Sequence, residues 1–205
     1  MNRIGIFVGL IFVLALSGRV GAQDYKQTIL EYRKQYIKDL MAEPRLGFKP
    51  GDERYFKFFE PDEHYCVWAT FTPTPGKSPF KIATHSGKEQ PFKEFGYLEF
   101  KIGDTPLVLH VYQSVDMMTG MPRNDDLFIP FCDYTNYETT YGGGRYIDLK
   151  IYDIKNGRIL LDFNKCYNPY CAYGGVFSCP IPPDENRLNI EIRAGDKMYE
   201  KFMGR

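Results

Sequence analysis

The sequence predicts a mainly β protein: an antiparallel β-sandwich or barrel-like domain led by one amphipathic helix. Three observations predict this. Aromatics reach 16%, almost all of them the 16 Phe and 16 Tyr, side chains that suit pleated, half-buried surfaces. Short strand-type runs alternate with Gly-, Pro- and Asn-containing turns along most of the chain. Only one stretch, near the start, carries the four-and-three spacing of a strong helix.

At 205 residues, with 43% hydrophobic and 25% charged side chains, the chain fits one globular domain. No internal repeat or linker divides it. The formal net charge is zero. Residues 1–22 hold Arg3, Arg19 and no acid, so without them 24 basic residues face 26 acidic ones. No basic face is implied, and nucleic acid is not an expected partner.

The first element is an address. Arg3 precedes an apolar run from Ile4 to Leu16, and Val20, Gly21 and Ala22 suit cleavage after Ala22. The run is short for a membrane span, and no later stretch is apolar enough to leave a stable span after processing. The expected product is a signal-peptide-cleaved, secreted or periplasmic protein, with the domain covering 23–205.

The helix follows. Tyr25, Ile29, Tyr32, Tyr36 and Leu40 fall on one face, with Glu31, Arg33, Lys34, Lys38 and Asp39 mostly on the other. Asp24 is placed to cap its start, and Pro44 stops it.

Strands come next. Arg54–Phe59 is aromatic but alternates poorly, whereas Tyr65–Thr72 is a good strand ended by prolines. Phe95–Ile102 and Pro106–Val115 form a hairpin around Gly103-Asp104-Thr105. Leu107, Leu109 and Val111 point one way, and Val108, His110 and Tyr112 the other. Leu127–Cys132 follows a polar loop. Arg145–Asp153 and Ile159–Phe163 flank Asn156-Gly157, a pair suited to a type I′ turn. Arg187–Arg193 reads as the last strand. The loop from Asn164 to Asn186 is long for a compact domain, and its cysteines and prolines suggest that it is pinned.

Five cysteines, Cys66, Cys132, Cys166, Cys171 and Cys179, lie beyond the leader, and export favours oxidation. Cys171 with Cys179 is the leading pair, closing a short loop. Cys132 with Cys166 is a second candidate, leaving Cys66 buried in its strand. No metal site is expected, because the cysteines lack C-x-x-C spacing and His64, His85 and His110 are scattered.

The stretch 133–186 concentrates polar residues that could form a site. Thr140-Tyr141-Gly142-Gly143-Gly144-Arg145-Tyr146 is not a phosphate-binding P-loop. Glycine amides with Arg145 could cradle an anion; a tight turn leading into a strand is the simpler reading. Eight tyrosines between Tyr134 and Tyr173 suit either an aromatic core or contact with sugars. The candidate ligand-binding residues are Asp133, Thr135, Arg145, Asp148, Asp162, Asn164 and Asn168. The ligand would be small and polar or anionic, such as a sugar. A hydrolase using two of the aspartates, or a reduced Cys171, is the rival; a purely structural or interaction domain is the third reading. No catalytic motif of the G-x-S-x-G or H-E-x-x-H kind occurs, no cofactor is expected, and the sequence does not speak to oligomeric state.

The runs Leu127-Phe128-Ile129-Pro130-Phe131, Thr140–Tyr146, Asp162-Phe163-Asn164, Tyr167-Asn168-Pro169, Cys171-Ala172-Tyr173, Cys179-Pro180 and Asn186-Arg187-Leu188 together resemble the domain-of-unknown-function 1684 family. Cys132 and Cys166 depart from that pattern. The resemblance implies that these motifs belong together, and it brings no activity, substrate or cofactor.

Overall fold

The computed structural model describes residues 17–202. The expected leader lies outside them, apart from its last six residues, which are helical backbone. Helix α1 spans Ser17–Ala42. Seven strands follow: β1 Cys66–Pro73, β2 Phe80–Ala83, β3 Glu89–Ile102, β4 Thr105–Ser114, β5 Asp126–Phe131, β6 Arg145–Lys150 and β7 Arg158–Asp162. They make one sheet in the order β6-β5-β4-β3-β1-β7, with β2 added to the first half of β3. Every strand pairing is antiparallel. The sheet curls into a half-barrel with β6 and β7 as its two free edges.

Alternation explains the concave face. Leu98, Phe100 and Ile102 of β3, Leu107, Leu109 and Val111 of β4, and Leu127, Ile129 and Phe131 of β5 share one core with Ile159 and Leu161 of β7. Full burial of each such side chain contributes about 1.5–3 kcal/mol. The hairpin between β3 and β4 is as tight as the sequence suggests, with Ile102 opposite Thr105. Phe163, Leu188, Ile192 and Ala194 close the core from the chain's own tail. On the opposite face, Ile82, Phe92 and Tyr112 form a smaller cluster with Phe80 and Phe128.

Several expectations are corrected. The Arg187–Arg193 segment is no strand, although Leu188 and Ile192 are buried as its alternation required. Its backbone is satisfied otherwise: Leu188 N–H donates to the Cys132 carbonyl, and Ile192 N–H donates to the Asp133 carboxylate. Backbone groups of 132–134 and the Asp133 carboxylate thus satisfy it in place of a strand ladder. The Arg54–Phe59 region holds a 3-10 turn, Asp52–Tyr55; Phe56 packs with Leu40, Tyr173 and Tyr199 instead of entering the sheet. The four-residue β2 has no counterpart in the sequence reading. Asn156 and Gly157 both have positive φ, 51° and 70°, but their turn does not join β6 to β7, which pair with β5 and β1.

The helix is also corrected in two places. It begins before Asp24, so that residue is interior, where its carbonyl accepts from the Thr28 hydroxyl. Arg33 was expected on the outer face but is buried, and its guanidinium donates to the Phe59 carbonyl at 2.7 Å. The end is as expected: Glu43 leaves the helical region at ψ 108° before Pro44, and its carboxylate accepts the Arg45 N–H. Cys66 is half-buried.

Candidate functional site

Six of the seven candidate residues are gathered into buried polar knots. In the first, Arg145 at the start of β6 is fully buried. Its guanidinium meets the Asp133 carboxylate at 2.7 Å and donates to the carbonyls of Ile192, Ala194 and Asp196. Asp133 also accepts from the Thr135 N–H and hydroxyl at 2.8 and 2.6 Å. Arg145 therefore closes the tail over the core, and its charge is engaged by internal groups. The glycines before it are packed closely. A Cβ on Gly142 would lie 2.2 Å from the Tyr137 ring, and one on Gly143 2.5 Å from the Tyr141 ring. The stretch is a tight turn into a strand.

In the second knot, Asp162 caps the short turn Phe163–Lys165 by accepting from Asn164 N–H, and it accepts the Tyr25 hydroxyl at 2.9 Å. Asn164 reaches both backbone groups of Asp62, accepting from its N–H and donating to its carbonyl. Helix, sheet edge and the 62–66 approach to β1 are thereby joined. In the third, Asn168 N–H donates to Asp196, whose carboxylate also accepts the Tyr36 and Tyr173 hydroxyls at 3.2 and 3.3 Å. Asn168 further donates to the Lys197 carbonyl. Burial pushes the Asp196 carboxyl up to about 6, against the pull of those donors and of Arg145. Asp196 was not among the candidate residues read from the sequence. Gly195 sits at φ 72°, and a Cβ there would come within 2.3 Å of the Cys166 sulfur.

Asp148 is different. It lies on β6 facing a groove of about 1060 Å³ between α1, the convex side of the sheet and the 167–180 loop. Tyr167 donates its hydroxyl to Asp148 at 2.6 Å. The tip of Asp148 remains open to solvent, yet the surrounding walls desolvate it enough to raise its pKa; Tyr167 pulls the other way and Asp126 adds to the rise. Rings run continuously along the wall. Phe92 stacks on Phe128, Phe128 meets Tyr146 edge-on at 4.8 Å, and Tyr167 bridges Tyr146 to Tyr36. Gln90, Ser114, Asn124 and Ser178 add amides and hydroxyls. Asp39, Glu43 and Asp126 supply further carboxylates. Arg45 is held by Glu43 at 2.8 Å, and Lys150 contacts Asp126.

A second hollow of about 620 Å³ lies along the seam between the free edges, where both Asp148 and Asp162 contribute. Asp162 is tied there by Tyr25 and Asn164. The sequence reading missed the groove because its walls come from residues near 36, 92, 128 and 177. The one available signal was the polar tip on each tyrosine of the helix stripe.

No two of the five cysteine sulfurs are joined in this structure. Cys171 and Cys179 face each other at the groove's loop wall, with sulfurs 2.6 Å apart. Cys166 is buried against the Ala194 carbonyl. Among the described residues, no group of three or more His, Cys, Asp or Glu could hold a metal ion. No described helix is long and apolar enough to cross a membrane.

Fold and site together define a half-barrel β domain with a leading helix, a tail knotted into the core by buried polar residues, and one aromatic groove. The chain belongs to the family described as protein of unknown function (DUF1684), whose model matches residues 54–197. Among solved structures it is similar to the solution NMR structure of an uncharacterised protein from Haloarcula marismortui. The two are 29% identical with a TM-score of 0.64, over 87% of this chain and 96% of the other. No curated protein matches.

Proposed function

We propose that the chain is an exported binding domain whose groove takes a small polar ligand, a carbohydrate. Export is supported by the leader pattern of residues 1–22. The observation that carries the ligand class is the Tyr167–Asp148 pair at 2.6 Å on the floor of an aromatic-walled groove of about 1060 Å³. A sugar presents apolar C–H faces to rings and hydroxyls to carboxylate and amide groups, and this wall offers both. The groove's carboxylates outnumber its free cations, so a neutral sugar fits better than an anion. Asp133, Thr135, Arg145, Asp162, Asn164 and Asn168 then act by shaping and bracing the groove, and Asp148 by touching the ligand.

The test is saturation-transfer NMR on the full chain, with neutral oligosaccharides in one panel and uronic acids and sugar phosphates in another. Binding of a neutral sugar, weakened at least about tenfold by Asp148→Ala, supports the reading. Binding confined to the anionic panel, or indifferent to Asp148→Ala and Tyr167→Phe, overturns it.

A further inference from the structure

We infer that Cys171 and Cys179 are a covalent modification site: they join as a disulfide that fixes the loop wall of the groove. The wall's role in binding rests on the groove reading above; the bond itself does not. The two sulfurs already stand 2.6 Å apart, and Cys171 N–H donates to the Cys179 sulfur at 3.3 Å. The other thiols are engaged elsewhere: Cys166 is buried against the Ala194 carbonyl, Cys132 packs beside Gly144, and Cys66 opens β1. The pairing is therefore specified by placement.

Tyr173 anchors the start of the loop between the two sulfurs in the aromatic cluster with Phe56 and Tyr199, but the stretch after it, 174–178, is poorly held by packing. Val176 at its tip is 90% exposed, and two glycines precede it. Yet Val176, Phe177, Ser178 and Cys179 all line the groove. That stretch is tied by Gly174 N–H donating to the Cys171 carbonyl, the Cys171 thiol donating to the Phe177 carbonyl, Gln90 donating to the Ser178 carbonyl, a hydrogen bond shared by Ser178 and Ser86, and an edge-on contact of Phe177 with Tyr170. Closing so short a loop removes conformational freedom where the wall most lacks support.

The chemistry is thiol–disulfide exchange with a small-molecule disulfide such as oxidised glutathione. The more accessible Cys171 attacks as its thiolate, an S–S bond of the reagent breaks, and one thiol leaves. The Cys179 sulfur then loses its proton and attacks the mixed disulfide at Cys171, expelling the second thiol. Two cysteine protons end on the two released thiols, and the two electrons from the cysteines have reduced the reagent.

The experiment treats the full chain with oxidised glutathione, then unfolds and alkylates it without reductant. Trypsin releases the peptide Cys166–Arg187, which holds three of the cysteines. One alkyl group, on Cys166, and a mass two hydrogens lower are expected; prior reduction with dithiothreitol should give three alkyl groups. Three groups without reductant, or a bridge that includes Cys166, overturns the assignment. In the folded protein, amide exchange over 174–178 is expected to be at least about tenfold slower in the oxidised form, with β3 and β4 unchanged. Cys171→Ser should reproduce the reduced rates. Equal exchange in both forms would remove the bracing role. A bridged protein that binds no sugar would bring down the groove reading and leave the bridge standing.

Discussion

Arg145 and Asp133 meet at 2.7 Å with both side chains wholly buried. The pair organises the tail, because the same guanidinium gathers the carbonyls of Ile192, Ala194 and Asp196. Removing one partner strands a buried charge, so Arg145→Met is expected to cost about 3–5 kcal/mol. Urea unfolding measures it. The double variant Arg145→Met, Asp133→Leu should recover part of that loss. A single-variant cost below about 1 kcal/mol, the surface-pair range, would contradict the knot.

Gly195 offers a backbone test. Its φ of 72° and the 2.3 Å approach of a Cβ to the Cys166 sulfur leave no room for a side chain. Gly195→Ala is expected to destabilise by more than about 2 kcal/mol through strain and displacement together. Gly76→Ala, also at positive φ but with open space around it, should cost less. Equal effects on thermal midpoints would sink the steric argument.

Asp196 gives a pH dependence with a definite sign. Its carboxyl is raised from 3.8 to about 6 by burial, so between those values the folded state holds the proton more tightly than the unfolded chain. The contribution of this group is therefore favourable below about pH 4 and is lost as pH rises through about 6. The stability difference between wild type and Asp196→Asn should shift against wild type by about 2–3 kcal/mol from pH 4 to pH 7. A difference that is flat with pH, or rises in favour of wild type, refutes it.

Tyr36 and Tyr173 both donate toward that carboxylate and hold its pKa down. Tyr173→Phe should therefore move the Asp196 titration upward from about 6. Carboxyl-selective NMR reads the midpoint directly, and a downward move would show that the hydroxyl is not donating.

Asn164 joins Tyr25, Asp62 and Asp162 through one amide. Asn164→Ala leaves several buried groups unpaired, at about 1–3 kcal/mol each in the worst case. Hydrogen exchange should rise first in α1 and the 62–66 approach to β1, before the sheet core. Uniform loosening of the whole domain would argue against a local tie.

Much of this architecture is written locally. The Gly103-Asp104 hairpin, the Leu107-Leu109-Val111 face and the stop at Pro44 each depend on neighbours a few residues away, and all three stand in the structure. Asn186, at the end of the long loop, ties that loop to the sheet through its amide, which donates to the His110 and Pro130 carbonyls. The alternation of Leu188, Ile190 and Ile192 correctly reported which side faces inward, but periodicity carries no information on what accepts the backbone hydrogen bonds. The acceptors are the Cys132 carbonyl and the Asp133 carboxylate, more than 50 residues earlier, while Arg145 donates to the segment's carbonyls. The glycine run beside Arg145 is the tight turn into a strand that the simpler reading expected, but nothing in the local window shows that carbonyls from 192–196 occupy the guanidinium. The groove was illegible because no window contains Tyr36, Phe92, Phe128 and Phe177 together.

The contact between Tyr36 and Asp196 spans 160 residues of sequence. During synthesis the helix emerges early, yet its hydroxyl acceptor is made 160 residues later. Until then Phe163 and the concave β surface lack the lid formed by Leu188, Ile192 and Ala194, and a nascent chain exposes an uncovered apolar sheet. Final closure waits for the 188–196 segment, so every earlier stretch of the chain has to be kept from aggregating until that segment is in place.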